Sequence, residues 1–323
     1  MWISIIAGLV FLILGGELLV RGSVGVATSF GVSPLLIGLT LVGFGTSAPE
    51  LVTSVQAALA NSPGIAIGNI VGSNIANSLL ILGITAIVAP VTVKSSLLKR
   101  DGVVLIAITA LFIVVGVAMP LGRLVGSAFL MLLGIYMYVA YLQERSPAIA
   151  EQGAAVERGL AAQEVDPGFV PGKGDKPIWL PLMLALAGLV LIVFGGEFLV
   201  DGAVQLAHTL GISETVVGLT VVAIGTSMPE LVTSVVASLR GQSDLALGNV
   251  LGSSLYNILG IGGVTAVVSP MDVPGSVVRF DFPVLFAATL LIVFFAWTSR
   301  RVDRTEGIAL VACYAAYIVA LIW

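Results

Sequence analysis

Long apolar runs follow one another along the chain with short polar breaks between them. The pattern predicts ten helical spans, near residues 2–26, 32–60, 64–88, 101–119, 122–142, 178–206, 213–239, 245–269, 281–298 and 306–323. Each run is close to the ~20 residues a helix needs to cross a hydrocarbon core of ~30 Å. The runs are unbroken, without the alternation of transmembrane barrel strands, so a β-barrel is excluded and the fold class is an all-α polytopic membrane protein. Pro120 and Gly122 mark a tight turn between the fourth and fifth spans. Residues 143–177 break the pattern: rich in Gly, Pro, Glu, Asp, Lys and Arg, they read as a polar linker shorter than a usual domain. The opening MWISIIAGLVF has neither a basic region nor a small-residue cleavage site, so it reads as a first helix, not a removable signal.

The apolar pattern is written twice. GLTLVGFGTSAPE at 38–50 returns as GLTVVAIGTSMPE at 218–230, and the 180-residue offset holds without a gap from Gly15 to Pro90 with roughly half the positions identical. The chain therefore divides into a first five-span repeat (1–142), the linker (143–177) and a second five-span repeat (178–323). Five is odd, so the second repeat enters the membrane from the opposite side, which makes the two inverted repeats.

Composition agrees: 58% of the residues are hydrophobic and 10% charged, against about a quarter charged in soluble domains. The net charge of −4 matters less than its placement. The connections after spans one, three, five, seven and nine hold Lys94, Lys99, Arg100, Arg145, Arg158, Lys173, Lys176, Arg240, Arg300, Arg301 and Arg304, with Arg21 near them; the other side holds Arg123 and Arg279. This bias places the linker in the cytoplasm and both termini outside a cell membrane. Cys313 is the single cysteine, which excludes an intrachain disulfide, and the single histidine, His208, is assigned no role. Nothing in the pattern points to nucleic acid, a resident cofactor or an obligate protein partner; the evident partner is the lipid bilayer.

Each repeat places a glutamate directly after a proline at membrane depth, where a charge costs about 2.5–3.5 kcal/mol and is rarely idle. Thr46, Glu50 and Ser54 stack at four-residue spacing on one helical face with Ser47 beside them, and Thr226, Ser227, Glu230 and Ser234 repeat the set. Pro49 and Pro229 lack an N–H, so the helix is expected to break, with Gly43, Gly45, Ala223 and Gly225 letting the backbone bend and freeing carbonyls there. The third span adds Gly68–Asn69, Gly72–Ser73 and Asn77, matched by Gly248–Asn249, Gly252–Ser253 and Asn257; the Ser and Asn share a face and the glycines permit close packing. The donors are all oxygens, without thiolate or imidazole, which suits a hard cation such as Ca²⁺ or Na⁺ and not zinc or copper. Glu17 and Glu197, near Arg21 and Asp201, read as interfacial or structural, and Asp101 and Asp281 as solvated helix starts.

GTSAPE with GNIVGSNIAN, and GTSMPE with GNVLGSSLYN, resemble the two α-repeats of the sodium/calcium exchangers of the cation/calcium exchanger superfamily. The resemblance implies antiport of Na⁺ against Ca²⁺ by alternating access, not an enzyme. It implies that Glu50 and Glu230 bind Ca²⁺ with backbone oxygens of Thr46 and Thr226. Ser47, Ser227, Ser73 and Ser253 would serve Na⁺ with the carbonyls of Gly43 and Ala223, and Asn77 and Asn257 would line the middle. Spans one and six would slide past the rest. Asn at 257, where potassium-dependent relatives often have Asp, implies transport without K⁺. The rival readings are a Ca²⁺/H⁺ antiporter, whose branch usually lacks the GTS-x-PE form, and a passive cation channel; an intramembrane enzyme has no HExxH, paired aspartates or Ser/His pairing to support it.

Overall fold

The computed structural model describes residues 1–30, 45–92, 101–144, 178–241, 243–298 and 301–322. The first half holds α1 (Trp2–Ser29), α2 (Ala48–Leu59), α3 (Pro63–Val88), a two-residue strand β1 (Val91–Thr92), α4 (Val103–Ala118) and α5 (Arg123–Glu144). The second holds α6 (Trp179–Leu210), α7 (Glu214–Thr226), α8 (Met228–Leu239), α9 (243–268), α10 (277–298), β2 (Arg301–Val302) and α11 (Arg304–Ile322). Among the described residues seven helices are long and apolar enough to cross a membrane, and α7 with α8, bent by 44°, makes an eighth. α4 is apolar but shorter, and the expected span 32–60 lies partly outside the described residues. The protein is thus an all-helical membrane protein.

Local chemistry sets the helix ends. Pro63 opens α3, where its missing N–H costs nothing. Gly211, at φ 67°, closes α6 in the left-handed conformation that glycine adopts without a Cβ penalty. Asp303 caps α11: its Oδ1 accepts the N–H groups of Thr305 and Glu306, while Glu306 Oε2 accepts the N–H of Asp303. The Glu306 N–H first, then the Thr305 hydroxyl, hold the Asp303 carboxyl below the usual range.

α3 and α9 form the centre. They are buried nearly throughout, whereas α1, α5, α6 and α11 bury about a third or less of their length and turn the rest outward. Helices approach through glycine. A Cβ on Gly68 would meet Thr215 O at 2.8 Å, and one on Gly72 would meet Leu219 O at 2.7 Å, so α3 lies directly against α7. Gly83 and Gly307 bring α11 onto α3, and Gly126 and Gly263 bring α5 onto α9.

These contacts come in exchanged pairs. Val91 pairs with Val302 and Thr92 with Arg301 in one clasp; at the equivalent place in the other half, Leu121 pairs with Met271. Ser238 Oγ donates to Ala89 O at 2.8 Å, and Ser269 Oγ donates to Ala58 O at 3.2 Å. Each half thus closes on the other in the same way at both ends.

The equivalent helices α1 and α6 run antiparallel along a seam of glycines spaced by seven. Gly8 faces Gly195 and Leu199, Gly15 faces Gly188 and Ile192, and Gly22 faces Pro181 and Ala185.

Two expectations need correction. Asp101 and Asp281 are not solvated: both are buried, and each accepts a tyrosine hydroxyl, from Tyr136 at 3.1 Å and Tyr317 at 2.8 Å. A carboxylate at a helix start is covered when the next helix brings a phenol over it. Glu17, by contrast, is exposed and pairs with Arg21 one turn along α1, and Glu197 and Asp201 are exposed.

Gly15→Val or Gly188→Val forces a side chain into the facing backbone and is expected to destabilise the protein by about 1–3 kcal/mol. Gly134→Ala, at an exposed helical site with nothing within 4 Å of the new methyl, is expected to stabilise by roughly 0.5–1 kcal/mol. Thermal unfolding of the detergent-solubilised variants checks both signs.

Candidate cation site

α7 runs helically through Ala223 and Gly225 to Thr226, and the chain breaks at Ser227, whose φ −83°, ψ 9° lies in the sparsely populated bridge region. Ser47 adopts the same geometry, φ −89°, ψ 9°. The break therefore falls about one turn later than the glycines suggested. Pro49 and Pro229 stand at the starts of α2 and α8, where the absent N–H belongs to a helix start. Gly45 and Gly225 serve packing instead: a Cβ on Gly45 would strike Val20, and one on Gly225 would strike Leu9, both on α1. The Ala223 carbonyl is not released from the helix, since it accepts the Ser227 N–H at 3.1 Å, which leaves it one lone pair.

Because the helix restarts immediately, Glu50 and Glu230 sit in the first turns of α2 and α8. Free N–H groups there favour negative charge. Both side chains are 1% exposed. Ser227 Oγ donates to Glu50 Oε1 at 2.9 Å, and Ser47 Oγ donates to Glu230 Oε1 at 2.9 Å. Each carboxylate is held by the serine three residues before the other carboxylate, so the two share one pocket. The second oxygen of each, Glu50 Oε2 and Glu230 Oε2, is buried without a hydrogen-bond donor. Buried anions left this way cost several kcal/mol each unless a cation compensates them.

The other expected residues close in. Ser73, Ser253, Asn77 and Asn257 are all buried on α3 and α9. Both amide atoms of Asn77 and of Asn257 lack partners, as does the Thr46 hydroxyl. The segment 257–261 packs on α2, and 76–81 packs on α8. These segments are π-helical turns, with Asn257 opening one and Asn77 second in the other. Such one-turn bulges recur at functional sites. The Thr226 hydroxyl lies within hydrogen-bonding distance of Val222 O, Ala223 O and Asn69 Oδ1. Gly43 lies outside the described residues.

Asn69 and Asn249 carry more of the site than the sequence reading assigned. Asn69 Nδ2 donates to Glu50 O at 3.1 Å and Ser54 Oγ at 2.9 Å; Asn249 Nδ2 donates to Glu230 O at 3.3 Å and Ser234 Oγ at 3.0 Å. The signal was present: each stands four residues before Ser73 or Ser253, on the same face, in both repeats. Ser54 and Ser234 thus serve the asparagines as acceptors.

Among the described residues no three His, Cys, Asp or Glu side chains gather. The oxygens gathered beside the two carboxylates are neutral, a donor set suited to a hard cation.

The sequence profile of the sodium/calcium exchanger proteins matches residues 1–142 and 180–323. The chain belongs to the sodium/calcium exchanger family. It is 35% identical over 98% of its length to the putative antiporter CaxA of Alkalimonas amylolytica, covering 96% of that protein. It is 33% identical over its full length to the sodium/calcium exchanger MaX1 of Methanosarcina acetivorans, covering 98% of it. The structure matches that of the sodium-calcium exchanger NCX_Mj soaked with Na⁺ and Sr²⁺, with a TM-score of 0.64 and 32% identity, over 98% of this chain and 97% of the other. The exchanger is thus a transmembrane cation/Ca²⁺ antiporter.

Glu50→Gln and Glu230→Gln are each expected to abolish exchange while leaving a folded protein, because one carboxylate cannot offset a divalent charge. Ser54→Ala and Ser234→Ala are expected to cost less than about tenfold, the scale of one neutral hydrogen bond. Ca²⁺ isotope flux into proteoliposomes, with size-exclusion profiles for folding, distinguishes the outcomes.

Proposed function

We propose that the chain exchanges Na⁺ for Ca²⁺ across a cell membrane by alternating access. The observation that carries the reading is the reciprocal pair of serine–glutamate hydrogen bonds, which leaves one buried oxygen on each carboxylate for a cation. In this reading Glu50 and Glu230 bind Ca²⁺ with backbone oxygens of Thr46 and Thr226. Ser47, Ser227, Ser73 and Ser253, with the Gly43 and Ala223 carbonyls, take Na⁺, and Asn77 and Asn257 line the middle. Ca²⁺ and Na⁺ then compete because both need the same two anions.

Counting the span 32–60 and α4 as crossings gives ten spans, arranged as inverted five-helix repeats at 1–142 and 178–323. The antiparallel run of the equivalent helices α1 and α6 supports the inversion. The polar linker 143–177, on the side that holds most of the Lys and Arg, then lies in the cytoplasm and both termini lie outside. α1 and α6, which pack on each other and rest against both helix breaks, would slide past the rest to change access.

Ca²⁺ coordinates 6–8 oxygens flexibly, whereas Mg²⁺ demands a tighter octahedron and sheds water reluctantly, so the cage favours Ca²⁺. Exchange of three Na⁺ for one Ca²⁺ moves one net charge, so a potential of 100 mV supplies roughly 2.3 kcal/mol per cycle. Asn257 is an amide and does not titrate, which supports coupling without K⁺ and with weak proton competition at that position.

In proteoliposomes an outward Na⁺ gradient is expected to drive Ca²⁺ uptake equally with and without K⁺, and a valinomycin-imposed negative interior to oppose that uptake when three Na⁺ leave per Ca²⁺ entering. Uptake driven by a pH gradient in the absence of Na⁺ would instead assign proton coupling.

A further inference from the structure

Asn69 is fully buried where α3 meets both broken helices, and its amide orientation is fixed by chemistry. The Glu50 carbonyl can only accept, so the Asn69 NH₂ must face it, with Ser54 Oγ taking the second proton. Oδ1 must then face the other way, toward Thr226 Oγ1 at 3.1 Å and Ser73 Oγ at 3.4 Å, and these hydroxyls must donate. A hydroxyl has one proton. Once that proton is given to Asn69, Ser73 and Thr226 offer the pocket only lone pairs, the form a cation binds. Thr226 has a competing choice, to donate back to Val222 O at 3.1 Å or Ala223 O at 3.4 Å; Asn69 draws it off and spares the lone pair of Ala223. The equivalent amide is fixed in the same sense, with Asn249 Nδ2 on Glu230 O and Ser234 Oγ.

We propose that Asn69 and Asn249 are positioning residues for exchange: each holds the backbone of the neighbouring glutamate, and Asn69 takes the protons of the Ser73 and Thr226 hydroxyls, so that Ser73 Oγ acts as a cation acceptor and the Ala223 carbonyl keeps its free lone pair. Neither amide touches the ion. The inference rests on the reading of Glu50 and Glu230 as the shared ion site.

The test is a double-mutant cycle in proteoliposomes, with half-saturating Na⁺ and Ca²⁺ measured separately. Asn69→Ala is expected to raise half-saturating Na⁺ about tenfold, the scale of one lost hydrogen bond. Thr226→Val is expected to do the same, and the pair together is expected to fall short of the product of the two single effects, because both remove one interaction. Multiplicative effects, or an Asn69→Ala exchanger with unchanged half-saturation for both ions, would overturn the proposal. If Asn69→Ala does not fold, Thr226→Val against Thr226→Ser decides: the serine keeps the hydroxyl and should shift half-saturating Na⁺ at least about threefold less, and equal shifts refute the orienting role. Glu50→Gln in the same assay separates the two levels. Retained flux there removes the ion site itself, whereas lost flux there beside an unaffected Asn69→Ala removes only this inference.

Discussion

Burying two carboxylates in an apolar chain is the constraint from which the remaining structure follows. Neither half can satisfy its own glutamate: Glu50 takes its serine from α8's side of the molecule and Glu230 takes its serine from α2's side. The helix break is what allows this. Pro229 at the start of α8 forces α7 to stop at Ser227, and Pro49 stands likewise just after Ser47 at the start of α2; each serine reaches the opposite carboxylate while the local glutamate stays in the first turn. The same break supplies helix-start N–H groups that favour the negative charge it exposes.

A site assembled across two halves is only as well defined as their docking. The contacts that fix it recur with the halves exchanged: Gly83 on Gly307 and Gly126 on Gly263, Ser238 on Ala89 and Ser269 on Ala58, and a short strand clasp at each end. These surround α3 and α9, which bring Asn69, Ser73 and Asn77 and their equivalents to the pocket. α1 and α6 belong to a different layer. They are bound mainly to each other through glycines spaced by seven and rest against the breaks through Val20 on Gly45 and Leu9 on Gly225. The molecule thus has an interlocked centre that holds the two buried glutamates and an outer helix pair packed against the helix breaks.

Much of this was legible because it is periodic. The apolar runs marked the helices, the 180-residue offset marked the repeat, and four-residue spacing put Thr226, Glu230 and Ser234 on one face. What was misread depends on neighbours distant in sequence. Asp101 and Asp281 look solvated until Tyr136 and Tyr317, 35 and 36 residues away, cover them. Gly45 and Gly225 look like hinges until Leu9 and Val20 show that they are clearances. Asn69 was visible as part of a repeated motif, yet an amide reveals a role only when all its partners are known.

The sequence by itself determined that this is a helical membrane protein written twice, that each copy breaks one helix at a proline, and that each break carries a glutamate among oxygen donors. Those features depend on hydropathy and local backbone chemistry, which act within a few residues. Only the tertiary structure decided which serine serves which glutamate, where the break falls, and which groups the Asn69 and Asn249 amides bond. The serine–glutamate choices belong to atoms 177 and 183 residues apart, and a short-range pattern cannot encode which of several compatible partners a buried proton will find.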